Sequence, residues 1–192
     1  VRSTVLVLGH QAQAVRDMLQ QRQLNPPGLR IAIQAEQRGT ADAVRCALPE
    51  LPDESDGQPS RVLILYGDTP LLTGERLQLL LAAASDCGLA LLSTRLDDPS
   101  GYGRIVRGAD GQPQGIVEDR DCTDAQRRIQ EVNAGMYVVD GRFLRQALAK
   151  VRANNAQREF YLTDLVAQAV AEGIGVAVVD APSEEVMGIN DR

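Results

Sequence analysis

The sequence predicts an α/β domain built around a mostly parallel sheet. Strand-length apolar runs alternate with segments whose apolar residues recur at helical spacing, the pattern of helices packed on such a sheet. The connections between them are short, as in doubly wound topologies. Two further strand-like runs, 103–107 and 114–118, flank Asp110-Gly111, a hairpin signal that adds an antiparallel insertion.

The chain opens with a strand at 4–8. Gly9-His10 turns it into a helix with Val15, Met18 and Leu19 on one face, broken by Pro26-Pro27-Gly28. A second strand spans 29–34, and Gly39-Thr40 leads into a short helix ending near Leu48, with Thr40 as its N-cap. The stretch 49–60, with three prolines and four acids, reads as a surface loop. The continuous apolar run 62–66 suits a strand buried on both faces. Thr73 caps a helix bearing Leu77, Leu80, Leu81 and Ala84, and a buried strand follows at 89–94. Beyond the hairpin come a strand at 132–139 and a helix face of Phe143, Leu144, Ala147, Leu148 and Val151. A second face holds Leu162, Leu165, Val166, Ala169 and Val170, followed by a central strand at 176–179 and a short one at 186–188.

Composition narrows the function. With 26 acids against 20 bases, net −6, the 192-residue chain lacks the basic surface of a general nucleic-acid binder. A local pocket can still oppose the global sign and take a small anion. No apolar stretch is long enough to span a membrane and no secretory signal opens the chain, so no membrane partner and a cytoplasmic location are expected. Cys46, Cys87 and Cys122 form no C-x-x-C and read as reduced thiols, and His10, the single histidine, argues against a His-based metal centre.

Ligands of open α/β sheets bind beyond the carboxyl ends of the strands. Gln34, after the second strand, offers an amide donor and acceptor suited to a nucleobase edge, and Gly39 permits close backbone approach. Tyr66-Gly67-Asp68 follows the third strand; a carboxylate there is costly unless paired, capping or metal-bound, and it is a hard oxygen donor of the kind Mg²⁺ prefers. Gly101-Tyr102-Gly103 precedes a strand, not a helix, so it is no dinucleotide fingerprint; it lies under a ligand or simply enters the hairpin. Glu118 and Asn133 can exchange hydrogen bonds with sugar hydroxyls, Glu159, Tyr161 and Thr163 precede a helix, and Asn190 sits near the end of the chain. Taken alone, Asp68 fits a plain turn role equally well, and each of the others fits a plain capping, turn or surface role better than a ligand role.

Taken in order, the segments QAEQRGT (34–40), LYGDTPL (65–71), DPSGYGRI (98–105), GIVEDRD (115–121), IQEVNAG (129–135), NNAQREFYLTD (154–164) and GINDR (188–192) form a specific set. The set resembles the uridyltransferase domain of the bacterial bifunctional N-acetylglucosamine-1-phosphate uridyltransferase / glucosamine-1-phosphate acetyltransferases. The resemblance implies a Rossmann-like nucleotidyltransferase domain that makes UDP-N-acetylglucosamine and pyrophosphate from UTP and N-acetylglucosamine 1-phosphate, for cell-wall and lipopolysaccharide precursors. It implies that Gln34, Gly39 and Thr40 hold the uracil side, and that Tyr66, Gly67 and Asp68 line the ribose and metal region. It assigns Mg²⁺ to Asp68 and Asn190, and the N-acetylglucosamine moiety to Gly103, Glu118, Asn133 and Tyr161. The alternatives are a related nucleotidyltransferase for another sugar phosphate and a catalytically inert regulatory module of the same fold.

Members of this family open with a strand and a glycine-rich loop carrying an arginine, followed by a lysine, which together cradle the triphosphate. No counterpart precedes Val1, and the one lysine, Lys150, lies on the polar side of a helix. The expectation is therefore a partial nucleotidyltransferase domain over 1–192, weak or inactive in isolation and prone to self-association through an exposed sheet edge or apolar cleft.

Overall fold

The computed structural model describes residues 1–24, 26–52 and 60–189, so most of the expected loop 49–60 lies outside the described residues. The chain forms two compact units, Val1–Gln58 with Leu148–Leu162, and Pro59–Ala147 with Thr163–Arg192.

In the first unit, β1 (Thr4–Leu8) and β2 (Leu29–Ile33) pair in parallel from Thr4↔Leu29 to Leu8↔Ile33, joined by α1 (Ala12–Gln21). Helix α2 (Thr40–Ala47) follows. Its N-cap is Gly39, not Thr40; Thr40 is the first helical residue, and its hydroxyl accepts the Leu162 N–H at 3.0 Å. The reason is steric. Gly39 has φ +112°, and a Cβ there would lie 2.6 and 2.8 Å from the Phe160 carbonyl oxygen and nitrogen. The backbone closes this contact with Phe160 N–H donating to Arg38 O at 2.8 Å and Ala41 N–H to Phe160 O at 2.9 Å. Arg45 holds the same strap. Its guanidinium stacks 4.4 Å from the Phe160 ring centroid and donates to the carbonyls of Leu148 and Val151, at 2.9 Å for the latter.

The second unit contains β3 (Arg61–Ile64), α3 (Gly74–Ala83), β4 (Leu89–Arg95), β5 (Arg104–Arg107), β6 (Pro113–Val117) and α4 (Asp124–Arg127). Then come β7 (Glu131–Asp140), α5 (Gly141–Lys150), α6 (Asp164–Ala171), β8 (Val176–Asp180) and α7 (Ser183–Val186); the chain leaves this unit at Leu148, within α5, and returns at Thr163. The sheet has six strands in the order β6-β5-β7-β4-β8, with β3 also on β7. β8 runs parallel to β4, while β3, β4 and β5 each run antiparallel to β7. Four of the six strands thus share one direction, with β7 inserted against them and β6 closing the expected hairpin. One edge of β7 carries β4; the other carries β5 at Val132 and β3 from Tyr137 to Asp140. Between these two neighbours the β4 register shifts, Leu91 facing Tyr137 but Ser93 facing Asn133.

The core packs α3 and α7 on the sheet through Leu80, Leu92, Met136, Val138 and Val186, each at most 5% exposed. Thr73 caps α3 as expected, its hydroxyl accepting from the Arg76 N–H at 3.2 Å.

Two further expectations are corrected. β3 is half-buried and ends at Ile64, leaving Leu65 and Tyr66 44% and 36% exposed, because that edge of the sheet is only partly covered. The short strand expected at 186–188 is instead α7, which starts after Pro182 with Glu184 and Glu185 in its first turn, two features that favour a helix start. The four-residue α4 was not expected; its signal is the capping box of Thr123 with Gln126. Among the described residues no helix is long and apolar enough to cross a membrane, and Cys46, Cys87 and Cys122 are free thiols.

Candidate active site

In the first unit, Gln34 leaves β2 only 9% exposed. Its Nε2 donates to Gly39 O at 3.1 Å and to Asp42 Oδ2 at 3.0 Å. Both amide protons are thus committed inside the protein, and the amide oxygen is the group available to a ligand. Tyr161, 7% exposed, accepts a hydrogen bond from Gln157 Nε2 at 3.0 Å.

In the second unit, the turn after β3 carries Tyr66, Gly67 and Asp68. Thr69 Oγ1 donates to the Tyr66 carbonyl at 3.2 Å, and the Ile189 N–H to the Asp68 carbonyl at 2.8 Å. Asp68 itself is exposed, so the desolvation argument for its carboxylate fails; solvent, not burial, surrounds it. Gly188 leaves it room, since a Cβ there would lie 2.8 Å from Asp68 Oδ2.

Tyr66 lies against Gly135, where an added Cβ would fall inside the ring. Partial burial, then the charges of Glu118 and Asp68, push its hydroxyl up to about 12. The phenol is therefore a neutral donor at physiological pH. Its raised value favours the folded state fully below its ordinary value near 10, and that contribution is lost as pH rises through about 12. In an alkaline near-ultraviolet titration, Tyr66→Phe is expected to remove a step centred near 12; removal of a step near 10 would show a freely solvated ring.

Gly103, Glu118 and Asn133 converge. The Asn133 N–H donates to the Gly103 carbonyl at 2.8 Å. A Cβ on Gly103 would lie 3.3 and 3.4 Å from the two Glu118 carboxylate oxygens. Glu118 Oε1 accepts from the Thr163 hydroxyl at 2.9 Å, and Asn133 Oδ1 accepts from the Gly135 N–H at 3.0 Å. Beneath them Tyr137 is fully buried, and its hydroxyl is pushed up by burial and by the neighbouring Tyr66 and Glu118.

The structure thus gathers Tyr66, Gly103, Glu118 and Asn133, with Asp68 close enough to act on Tyr66. Gln34, Gly39, Thr40 and Tyr161 belong to the first unit. Asn190 lies outside the described residues. Sequence reasoning left out Thr163 as the partner of Glu118, although the residue stands in the NNAQREFYLTD segment, and Gly135 as the seat of Tyr66. A cleft of about 400 Å³ lined in part by Arg95, Arg107, Arg128 and Glu131 contains none of the candidate residues. Arg107 and Glu131 form an ion pair there at 2.6 Å, and bonding to Arg107 holds the Glu131 carboxyl below its usual range.

Ligand-type side chains follow β2 in the first unit and β3 in the second, and a further cluster sits on the hairpin, the placement expected of ligand sites in α/β sheets. Residues 1–183 match the nucleotidyl transferase pattern, and the chain belongs to that family. Within it, the chain is similar to the bifunctional protein GlmU. It is 52% identical over 188 residues to that of Anaeromyxobacter sp. (strain Fw109-5), covering 98% of this chain and 37% of the relative. It is 48% identical over 191 residues to that of Trichlorobacter lovleyi, covering 98% of this chain and 40% of the relative. The chain therefore spans about two-fifths of the length of these curated relatives. Among solved structures, HddC from Yersinia pseudotuberculosis shares the fold, with TM-score 0.63 and 17% identity over 94% of this chain and 70% of its own.

Proposed function

We propose that this chain is part of an enzyme of uridyl transfer, which makes UDP-N-acetylglucosamine and pyrophosphate from UTP and N-acetylglucosamine 1-phosphate in the cytoplasm. The observation that carries the reading is the convergence of Gly103, Glu118 and Asn133 beside Tyr66, in a chain about half identical to GlmU proteins over nearly its whole length.

The chemistry asks little of the side chains. An ionised oxygen of the sugar phosphate attacks the α-phosphorus of UTP, the bond from that phosphorus to the bridging oxygen of the β-phosphate breaks, and pyrophosphate leaves with the electron pair. The nucleophile is already an anion, so no general base is needed; the protein aligns the two substrates and offsets their charge. Gln34 Oε1 suits the uracil N3–H, since its own protons are committed elsewhere. The Glu118 carboxylate, steadied by the Thr163 hydroxyl on Oε1, is the acceptor for sugar hydroxyls. Gly103 keeps a side chain out of the narrow space beside that carboxylate, where a Cβ would lie 2.8 Å from Ile116 Cγ2. Tyr66, un-ionised, donates from the edge of the same site. In the first unit Thr40 and Tyr161 are further substrate contacts with Gly39 allowing close backbone approach, and in the second Gly67 does the same.

The residues fit Mg²⁺. Asp68 is an exposed hard-oxygen donor in a space that a Cβ on residue 188 would fill. Mg²⁺ takes one or two protein oxygens and completes its shell with phosphate and water. Asp68 and Asn190 would hold it, and bound Mg²⁺ supplies charge neutralisation for the phosphates.

Calorimetric titration with UDP-N-acetylglucosamine, with and without Mg²⁺, tests the reading. Binding is expected, and Glu118→Ala is expected to weaken it about tenfold or more, the scale of a lost charge-assisted hydrogen bond. Affinity unchanged by Glu118→Ala would remove the sugar assignment.

A further inference from the structure

We infer that Arg104 is a positioning residue that sets sugar selectivity, through a buried brace to Asp119 that fixes the spacing of Gly103, Glu118 and Asn133. The inference rests on the uridyl-transfer reading and deepens it.

Arg104 is 2% exposed. Its Nη2 donates to Asp119 Oδ1 at 2.8 Å, and its Nη1 donates to the Tyr102 carbonyl. Tyr102 immediately precedes Gly103, and Asp119 immediately follows Glu118. Arg104 also pairs across the sheet with Val117 of β6 and with Val132 of β7, the neighbours in sequence of Glu118 and Asn133. The guanidinium therefore ties together the segments that deliver Gly103 and Glu118, and the backbone of the same residue pairs with the segment that delivers Asn133.

The tolerance is small. The Gly103 face stands 3.3–3.4 Å, measured from where a Cβ would be, from the Glu118 carboxylate. A few tenths of an ångström there decides whether a pyranose hydroxyl meets Glu118 at hydrogen-bonding distance. Burial of Arg104 leaves its Nε without a partner, an unfavourable state for a donor. A residue serving stability alone would be better replaced by an apolar one. The planar fork reaches a carbonyl and a carboxylate at once, which a lysine ammonium does not. Buried, Arg104 acts through the residues on either side of it.

The test uses the protein in its full natural length, with steady-state kinetics varying each substrate in turn. Arg104→Lys and Asp119→Asn are each expected to raise the KM for N-acetylglucosamine 1-phosphate about tenfold. The KM for UTP is expected to stay within about twofold, and selectivity over glucose 1-phosphate is expected to narrow. The double variant is expected to be no worse than either single one, since both break the same brace. The Asp119 side chain is 27% exposed, so Asp119→Asn keeps its shape and still reports if Arg104→Lys fails to fold. Equal rises in both KM values, or none, overturn the inference while leaving the uridyl-transfer reading intact. A wild-type protein that uses another sugar phosphate overturns that reading, and the same KM split is then read on that sugar. A wild type inactive on every sugar phosphate overturns both.

Discussion

Asp68→Asn is expected to lower turnover by about 10²–10³-fold, the scale seen when one preorganised charge is removed from an acyl- or phosphoryl-transfer site. The substitution keeps the size of the side chain and exchanges a full negative charge for an amide. Thermal stability should hardly change, because the carboxylate is exposed and the structural bond at this position, Ile189 N–H to the Asp68 carbonyl at 2.8 Å, uses the backbone. Activity should recover in part at high Mg²⁺ concentration, since a weakened cation site fills by mass action. Turnover within a factor of about three of wild type would show that Asp68 neither binds the cation nor faces the phosphates.

Gly135→Ala is expected to give the opposite pattern, a large loss of stability with activity falling alongside. Gly135 has φ +80°, where a side chain is strained, and its added Cβ would enter the Tyr66 ring. The backbone strain costs about 1–2 kcal/mol, and displacement of the ring adds about 1–3 kcal/mol of overpacking. Urea denaturation reads the sum. The combination with Tyr66→Ala separates the two terms: removing the ring should restore the overpacking part and leave the strain. Since Tyr66 is adjacent to Gly67-Asp68 and shares the field of Glu118, its displacement should also weaken substrate binding. A Gly135→Ala protein as stable as wild type would mean that the ring does not rest there.

Much of this was legible in the residues. Continuous apolar runs marked β4 and β7 because both are buried along nearly their whole length, and Asp110-Gly111 marked the β5–β6 hairpin. Local pattern says little about direction, however. Nothing in the run 132–139 distinguishes a strand parallel to its neighbours from β7, which runs against three of them and carries two different partners on one edge. The apolar run 62–66 misled for a related reason. Burial depends on what covers the strand, and β3 is only half-covered, so Asp68 stands in solvent. Thr40 looked like a cap by residue type, but the approach of Phe160 to Gly39 moved the cap back by one residue. The site residues came from the ordered motif set and not from any single motif. The residues that hold them in place, Arg104, Asp119, Thr163 and Gly135, declare themselves only when β5, β6 and β7 are seen side by side.

The central claim is the reaction, and product analysis tests it most directly. The purified protein in its full natural length, given Mg²⁺, a mixture of nucleoside triphosphates and a panel of sugar 1-phosphates, is predicted to release pyrophosphate and accumulate UDP-N-acetylglucosamine in equal amounts. A different nucleotide sugar as the main product, or no pyrophosphate from any pair, would contradict the account.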